Sequence, residues 1–259
     1  ALGNKDTATQ AIFVLLAQAV NNTIRICSPQ TTTTIIAVDP NISGVSGTWF
    51  SASSAVIASP ANDTTLVSNL VSGTYLFFWV VSDGTCSDAD QVTVIVDQPV
   101  TVNAGPDQQI CTTPGTATMA ASNPAPGTGV WSTTSTATIA NPANRNTTIS
   151  NLNAAGTYVF VWTVTNGACV TRDTMNIVVT SPVVPNPGPD QSVCSNPGTA
   201  TLAAIAPAQG TGAWSTSSSA VIASPSSNTS AVSGLTTAGT YTFVWTITNG
   251  ACVTRDSMD

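Results

Sequence analysis

Hydrophobic and polar residues alternate along most of this chain, in short stretches separated by turn signals. In residues 157–165 (TYVFVWTVT), Tyr158, Phe160, Trp162 and Val164 share one face, the period of two of a half-buried strand. Residues 129–139 (GVWSTTSTATI) alternate after a Gly-rich turn, residues 147–152 (TTISNL) follow another turn, and residues 176–180 (NIVVT) read as a last strand. Asn166-Gly167, Asn249-Gly250 and Asp83-Gly84 are hairpin signals, because a type I′ turn needs φ > 0 at both central positions. No segment carries helical periodicity. Short strands at this spacing predict an all-β chain of antiparallel sandwiches of immunoglobulin-like type.

The pattern recurs. Trp131 and Trp214, Trp162 and Trp245, Cys111 and Cys194, and Cys169 and Cys252 are each 83 positions apart. Trp49, Trp79, Cys27 and Cys86 precede their counterparts by 82 to 84 positions. The expected organisation is a segment 1–18, then repeats over 19–97, 98–180 and 181–259. Each repeat is near the size at which one hydrophobic core is marginal and a staple helps. Trp131 falls where a sandwich places its central aromatic, and all six Trp read as core packing, since a sugar platform would need exposed rings. The joints at 96–108 (VDQPVTVNAGPDQ) and 180–191 (TSPVVPNPGPDQ) are short and Pro-rich, which predicts stiffness and hence a rod.

Composition narrows the chemistry. Charged residues are 7% and hydrophobic residues 42% of the chain, and the net charge is −7. A disordered chain would hold fewer Val, Ile, Trp and Phe, and no basic stripe exists to bind nucleic acid. There is no His, and all twelve acidic residues are Asp. The commonest general base and neutral metal ligand are therefore missing, a Ser–His–Asp triad is impossible, and no CxxC pair occurs. The chain reads as a non-enzyme with no cofactor and no metal. Six Cys in three equivalent pairs point to an oxidising compartment. Of fifteen possible connectivities, repeat symmetry favours Cys27 with Cys86, Cys111 with Cys169 and Cys194 with Cys252, each stabilising its repeat by roughly 4 kcal/mol on a chain-entropy account; buried free thiols are the alternative. No stretch approaches the ~20 apolar residues of a membrane helix. The run AIFVLLA (11–17) with Lys5 before it has some features of a signal core, but without an initiator Met it reads better as part of the mature chain.

The motifs AGPDQQIC, PAPGTGVWS, ATIANP and AGTYVFVWTVTNGACVTRD in the second repeat return in the third as NPGPDQSVC, PAQGTGAWS, AVIASP and AGTYTFVWTITNGACVTRD. The first repeat keeps SGTWF, AVIASP and SGTYLFFWVVSDGTC but opens with NNTIRIC in place of the GPDQ turn. Together these resemble the PKD-like, immunoglobulin-like repeats of large cell-surface proteins of Bacteroidota, among them gliding-motility adhesins and other cargo of type IX secretion. The resemblance spans nearly the whole chain. It implies an extracellular structural or adhesive role, and it supplies no catalytic residue.

Aligned on Asp6, Asp90 and Asp173, the segment Gln10, Ala11, Ile12, Phe13, Val14, Leu15 corresponds to a repeat's final strand, while Asp259 aligns with Asn176, just before the final strand of the third repeat. An edge strand missing from a sandwich exposes backbone groups and core. Two explanations follow. The N-terminal strand of one copy fills the third repeat of the next, a strand addition that propagates a head-to-tail filament. Otherwise, the sequence is a slice of a longer tandem array whose neighbouring repeats do the filling. A glycan-binding accessory module is a further reading, with surface glycans as partner. Asp107 and Asp190 sit in GPDQ turns and read as turn residues rather than calcium ligands, for which one carboxylate per joint is too few. The resemblance also implies O-glycosylation at the pattern Asp, then Ser or Thr, then an apolar residue or Thr, which marks Thr7, Thr64, Thr174 and Ser257.

Overall fold

The computed structural model describes residues 14–112 and 115–259 and is all-β. The first repeat holds β1 (Thr23–Cys27), β2 (Thr33–Ile36), β3 (Ser46–Phe50), β4 (Val56–Ile57), β5 (Thr64–Ser68), β6 (Gly73–Ser82) and β7 (Ser87–Asp97). The second holds β8 (Gln108–Cys111), β9 (Ala117–Thr118), β10 (Thr128–Thr133), β11 (Thr138–Ile139), β12 (Thr148–Ser150), β13 (Gly156–Asn166) and β14 (Cys169–Thr180). The third holds β15 (Ala200–Ala203), β16 (Thr211–Thr216), β17 (Val221–Ile222), β18 (Thr229–Ser233), β19 (Phe243–Asn249) and β20 (Cys252–Met258). Each repeat is two sheets. The smaller ones run β2-β5-β4, β11-β12-β9 and β15-β18-β17. The larger ones run β1-β7-β6-β3 and β10-β13-β14-β8, but only β16-β19-β20 in the third repeat. The short strands β1 and β8 enter their sheets parallel to the final strands β7 and β14, which the sequence pattern does not announce.

The period-two pattern explains the cores. Along β6, Tyr75, Phe77, Trp79 and Val81 are buried, and along β7 so are Val92, Val94 and Val96; they meet Ile35 and Val67 of the opposite sheet. The Trp residues pack in cross-strand pairs, Trp49 with Trp79, Trp131 with Trp162 and Trp214 with Trp245, at centroid separations of 5.2, 5.1 and 5.0 Å. Gly47, Gly129 and Gly212 lie two positions before the first Trp of each pair, and a Cβ at any of them would enter the indole of the second. The glycine makes the slot for the ring. Each repeat also has a tyrosine whose hydroxyl donates to a carbonyl four residues upstream: Tyr75 to Val71, Tyr158 to Ala154 and Tyr241 to Thr237. That is the tyrosine corner of immunoglobulin-like sandwiches.

Of the expected segment 1–18, residues 1–13 lie outside the described residues. The remainder leads into the first repeat. Leu15 packs against its core, Ala17 and Ala19 are buried in it, and the amides of Ala17 and Ala19 donate to Asp88 and Asp90 at 2.8 Å. The chain divides into two compact units, one reaching Thr101 with Pro124–Thr128 and Val164–Thr171, the other comprising Val102–Asn123, Gly129–Thr163 and Arg172–Asp259. The tip of the β13–β14 hairpin therefore belongs with the first repeat. No helix of the described residues is long and apolar enough to cross a membrane.

Candidate functional site: disulfide-linked joints and an open groove

The cysteines do not pair within repeats. Cys27 bonds Cys169 and Cys111 bonds Cys252, each bridge joining the opening strand of one repeat to the hairpin of the next. Cys86 and Cys194 are free and exposed. The expected pairing of Cys27 with Cys86, Cys111 with Cys169 and Cys194 with Cys252 is corrected by strand geometry. Cys27 lies opposite Asp97, at the far end of β7, whereas Cys86 lies just before the start of β7. Eleven residues of extended chain put about 36 Å between those ends, and a disulfide needs Cα atoms within about 7 Å. The bonded pairs have Cα–Cα distances of 4.9 and 5.0 Å. Trypsin tests the pairing, because cleavage after Arg25, Arg145, Arg172 and Arg255 leaves Cys27, Cys86 and Cys111 on one peptide, Cys169 on a second and Cys194 with Cys252 on a third. The unreduced digest is expected to hold peptides 26–145, 146–172 and 173–255 as one covalent species; release of a free 173–255 would restore pairing within repeats.

Each bridge lies beside a contact between a final strand and the next repeat's hairpin. In the first joint Gly167, at φ +57°, brings its Cα against the Asp97 carboxylate, where a Cβ would collide. Ala168 N–H donates to Asp97 at 2.8 Å, Asn166 Nδ2 to Gln98 O at 2.9 Å and Thr171 Oγ1 to Val100 O at 2.9 Å. The second joint repeats this with Gly250 against Thr180, Asn249 Nδ2 donating to Ser181 O at 3.0 Å and Thr254 Oγ1 to Val183 O at 2.6 Å. At the corresponding tip of the first repeat, Gly84 has nothing near the place a Cβ would take.

The first joint has an ion pair that the second lacks. Arg25 donates through Nε at 3.0 Å and Nη2 at 2.8 Å to Asp97, a two-point guanidinium–carboxylate pair. Gln109 and Thr180 occupy these places in the second joint. The Arg25 hydrogen bonds, followed by the Ala168 amide, hold the Asp97 carboxyl below the usual carboxylate range. A depressed folded-state value means that the unfolded chain takes up the proton first. The stabilisation is complete above the ordinary carboxylate range and fades as pH falls through the depressed value. Asp97→Asn is expected to lower the melting temperature at neutral pH and to leave a shallower acid-side decline than the native chain shows; a variant with an unchanged acid profile would remove Asp97 from that role.

The third repeat carries an open groove of about 520 Å³. Its floor is Leu202, Leu235, Phe243 and Met258, and its rims are residues 190–193 with Ser195, and residues 237–241. In the first repeat Val94 and Val96 fill this place, and in the second Ile177 and Val179 do, all buried. Strands β6 and β13 begin at Gly73 and Gly156, whereas β19 starts only at Phe243, and Tyr241 is half-buried where Tyr75 and Tyr158 are buried. The entrance already has the pairing of a filled repeat. Asp259 N–H donates to Asp190 Oδ1 at 2.9 Å, as Asn176 N–H does to Asp107 Oδ1 at 2.7 Å. Gln191 N–H donates to Asp259 O at 2.8 Å. Asp107 thus ties the final strand β14 just ahead of its parallel neighbour β8, and Asp190 holds Asp259, just past β20, in the same way.

Of the donor segment, Gln10 to Phe13 lie outside the described residues, Val14 is exposed, and Leu15 belongs to the first repeat's core. Thr64, Thr174 and Ser257 are exposed on strands, and Thr7 lies outside the described residues. Among the described residues no group of three His, Cys, Asp or Glu comes together. The free cysteines were legible only as repeat partners; their exposure, against the burial of Cys169 and Cys252, is what the structure adds.

No family model matches this sequence, and neither does any curated protein. Among solved structures the chain is similar to the I-band fragment I67–I69 of titin, at 11% identity and a TM-score of 0.52, covering 93% of this chain and 95% of that one. It is also similar to the PKD domain of the KIAA 1837 protein, at 20% identity and a TM-score of 0.30, over 38% of this chain and all of that one. The titin likeness shows the fold, a tandem of three immunoglobulin-like sandwiches.

Proposed function

We propose that this chain is a structural subunit of an extracellular fibre or stalk, in which the N-terminal segment of one copy completes the third repeat of the next. Disulfides at its joints fit an oxidising compartment, and a tandem of immunoglobulin-like sandwiches is consistent with a structural or adhesive role. The groove of the third repeat carries the proposal. It has the apolar floor and the entry hydrogen bonds of the place that a final strand fills in the other two repeats. Strand addition there forms ladder hydrogen bonds and buries alternate side chains. The contact is head-to-tail, so it propagates. The resemblance to Bacteroidota surface repeats supports the same setting.

The test is deletion of residues 1–13, which spares Leu15, Ala17 and Ala19 and so the first repeat's core. Loss of polymers by light scattering and electron microscopy, with an unchanged melting temperature of the monomer, is expected. Intact polymers would overturn the proposal. The two internal joints, where the strand comes from the same polypeptide, favour the second reading, a section of a longer tandem array. A native polypeptide far above 26.2 kDa, with peptides continuing past Asp259, would establish it.

A further inference from the structure

We infer that Cys194 of one copy and Cys86 of the next form an intermolecular disulfide that locks the head-to-tail contact; this inference rests on the proposed assembly. The chain contains the same staple twice. At both internal joints the cysteine opening one repeat, Cys27 or Cys111, bonds the hairpin cysteine of the following repeat, Cys169 or Cys252. Cys194 is the opening cysteine of the third repeat and Cys86 the hairpin cysteine of the first, and these two are the free ones. They are complementary halves of one joint, not two equivalent thiols.

The surroundings of each half match. Cys27 and Cys111 sit at the last paired position opposite a final strand, against Asp97 and Thr180. Cys194 lies beside the rim of the open groove, between Val193 and Ser195. A strand entering in the register set by Gln191 and Asp259 would therefore end at Cys194. On the other side, Cys169 and Cys252 are each 2% exposed because the preceding repeat covers them, whereas Cys86 is open to solvent. Gly84 is likewise uncovered, where Gly167 and Gly250 meet the preceding repeat. One contact does not carry over. Asp83 replaces Asn166 and Asn249, and its carboxylate accepts from the amides of Thr85 and Cys86 at 2.8 Å rather than reaching for a neighbour's carbonyl.

The chemistry is thiol–disulfide exchange. A Cys thiolate attacks glutathione disulfide and releases one glutathione thiolate; the second Cys thiolate then attacks the mixed disulfide and releases the other. Two protein thiols lose two protons and two electrons, and one glutathione disulfide becomes two glutathiones.

The experiment uses the full chain with Cys86→Ser, Cys194→Ser and the double variant, each polymerised with glutathione disulfide and run on denaturing gels without reductant. The native chain is expected to give a ladder that collapses to monomer with reductant. Each single variant alone is expected to run as monomer, and an equal mixture of the two as a dimer and nothing larger. Dimers from either single variant alone, or no covalent product from the native chain while polymers form, would overturn the inference. The double variant separates it from the reading beneath it. Non-covalent polymers from that variant keep the strand exchange standing whatever the gels show, and their absence, with its internal bridges intact, would remove the strand exchange and the staple together.

Discussion

Replacing Cys111 and Cys252 together with serine is expected to lower stability by up to about 5 kcal/mol, the chain-entropy value for a closed loop of this length. The bridge spans a sequence separation of 141, and a loop that long leaves the unfolded chain far more freedom when it is cut. The loop expected within a repeat is less than half as long, and because closure entropy rises only logarithmically its value is smaller by about 0.8 kcal/mol. The size of the loss therefore identifies a bridge but not its partners; the single variants do that. Cys111→Ser and Cys252→Ser should each lose as much as the double variant, since either change opens the same bridge. Cys169→Ser combined with Cys111→Ser should lose more than either alone, since two separate bridges then open. Denaturant unfolding without reductant reads both comparisons, and a Cys111–Cys169 pair behaving as one unit would contradict the linkage across joints.

Trp162→Ala is expected to cost about 3–5 kcal/mol, the range for truncating a buried aromatic. Trp162 is fully buried and packs against Trp131 with the two rings tilted by 45°. A smaller change in the opposite direction sharpens the argument. Gly129→Ala adds one methyl group at the place the Trp162 indole occupies, and overpacking of this kind costs about 1–3 kcal/mol. The two effects should not add. In the Trp162→Phe background the smaller ring leaves room for the methyl, so Gly129→Ala should become nearly neutral there. Additive losses across that cycle would mean that the glycine serves the strand backbone and not the ring. Trp162→Phe also loses no hydrogen bond, because its indole N–H has no partner, whereas Trp131 donates to Arg145 O at 3.3 Å.

Much of this fold was legible. The 83-residue spacing of Trp and Cys, the alternation in 157–165 and the Asn-Gly turns specify sandwiches, because burial on one face of a strand imposes a period of two. The Tyr corner was legible too, in the recurring GTY before each aromatic strand, but only to a reader looking for a hydroxyl four residues from its acceptor. What the sequence could not disclose is the direction in which β1 and β8 pair. A parallel edge strand leaves no turn signal and no special composition. Yet it carries Cys27 to the end of β7 and away from Cys86, and so decides the disulfides. Repeat symmetry favoured closure within each repeat, but linkage across two repeats obeys the same symmetry, and the structure shows the latter. Aligning Asp259 with Asn176 gives the register of the third repeat, but no alignment states the hydrogen bonds that Asp190 and Gln191 make with Asp259.

The overlap of the two bridges has a mechanical consequence. Between Cys27 and Cys252 the polypeptide runs 225 residues (252 − 27), enough for roughly 790 Å of extended chain at ~3.5 Å per residue. The bridges offer a shorter covalent route, from Cys27 across to Cys169, back along the chain to Cys111, and across to Cys252. That route includes only 58 residues (169 − 111), or roughly 200 Å. Pulled from its ends, the oxidised molecule can release about a quarter of its contour, all of it from the middle repeat, while the first and third are held in slack loops that carry no load. Under reducing conditions the whole length becomes available. The thiol state thus sets how far the chain can be drawn out before a covalent bond must break.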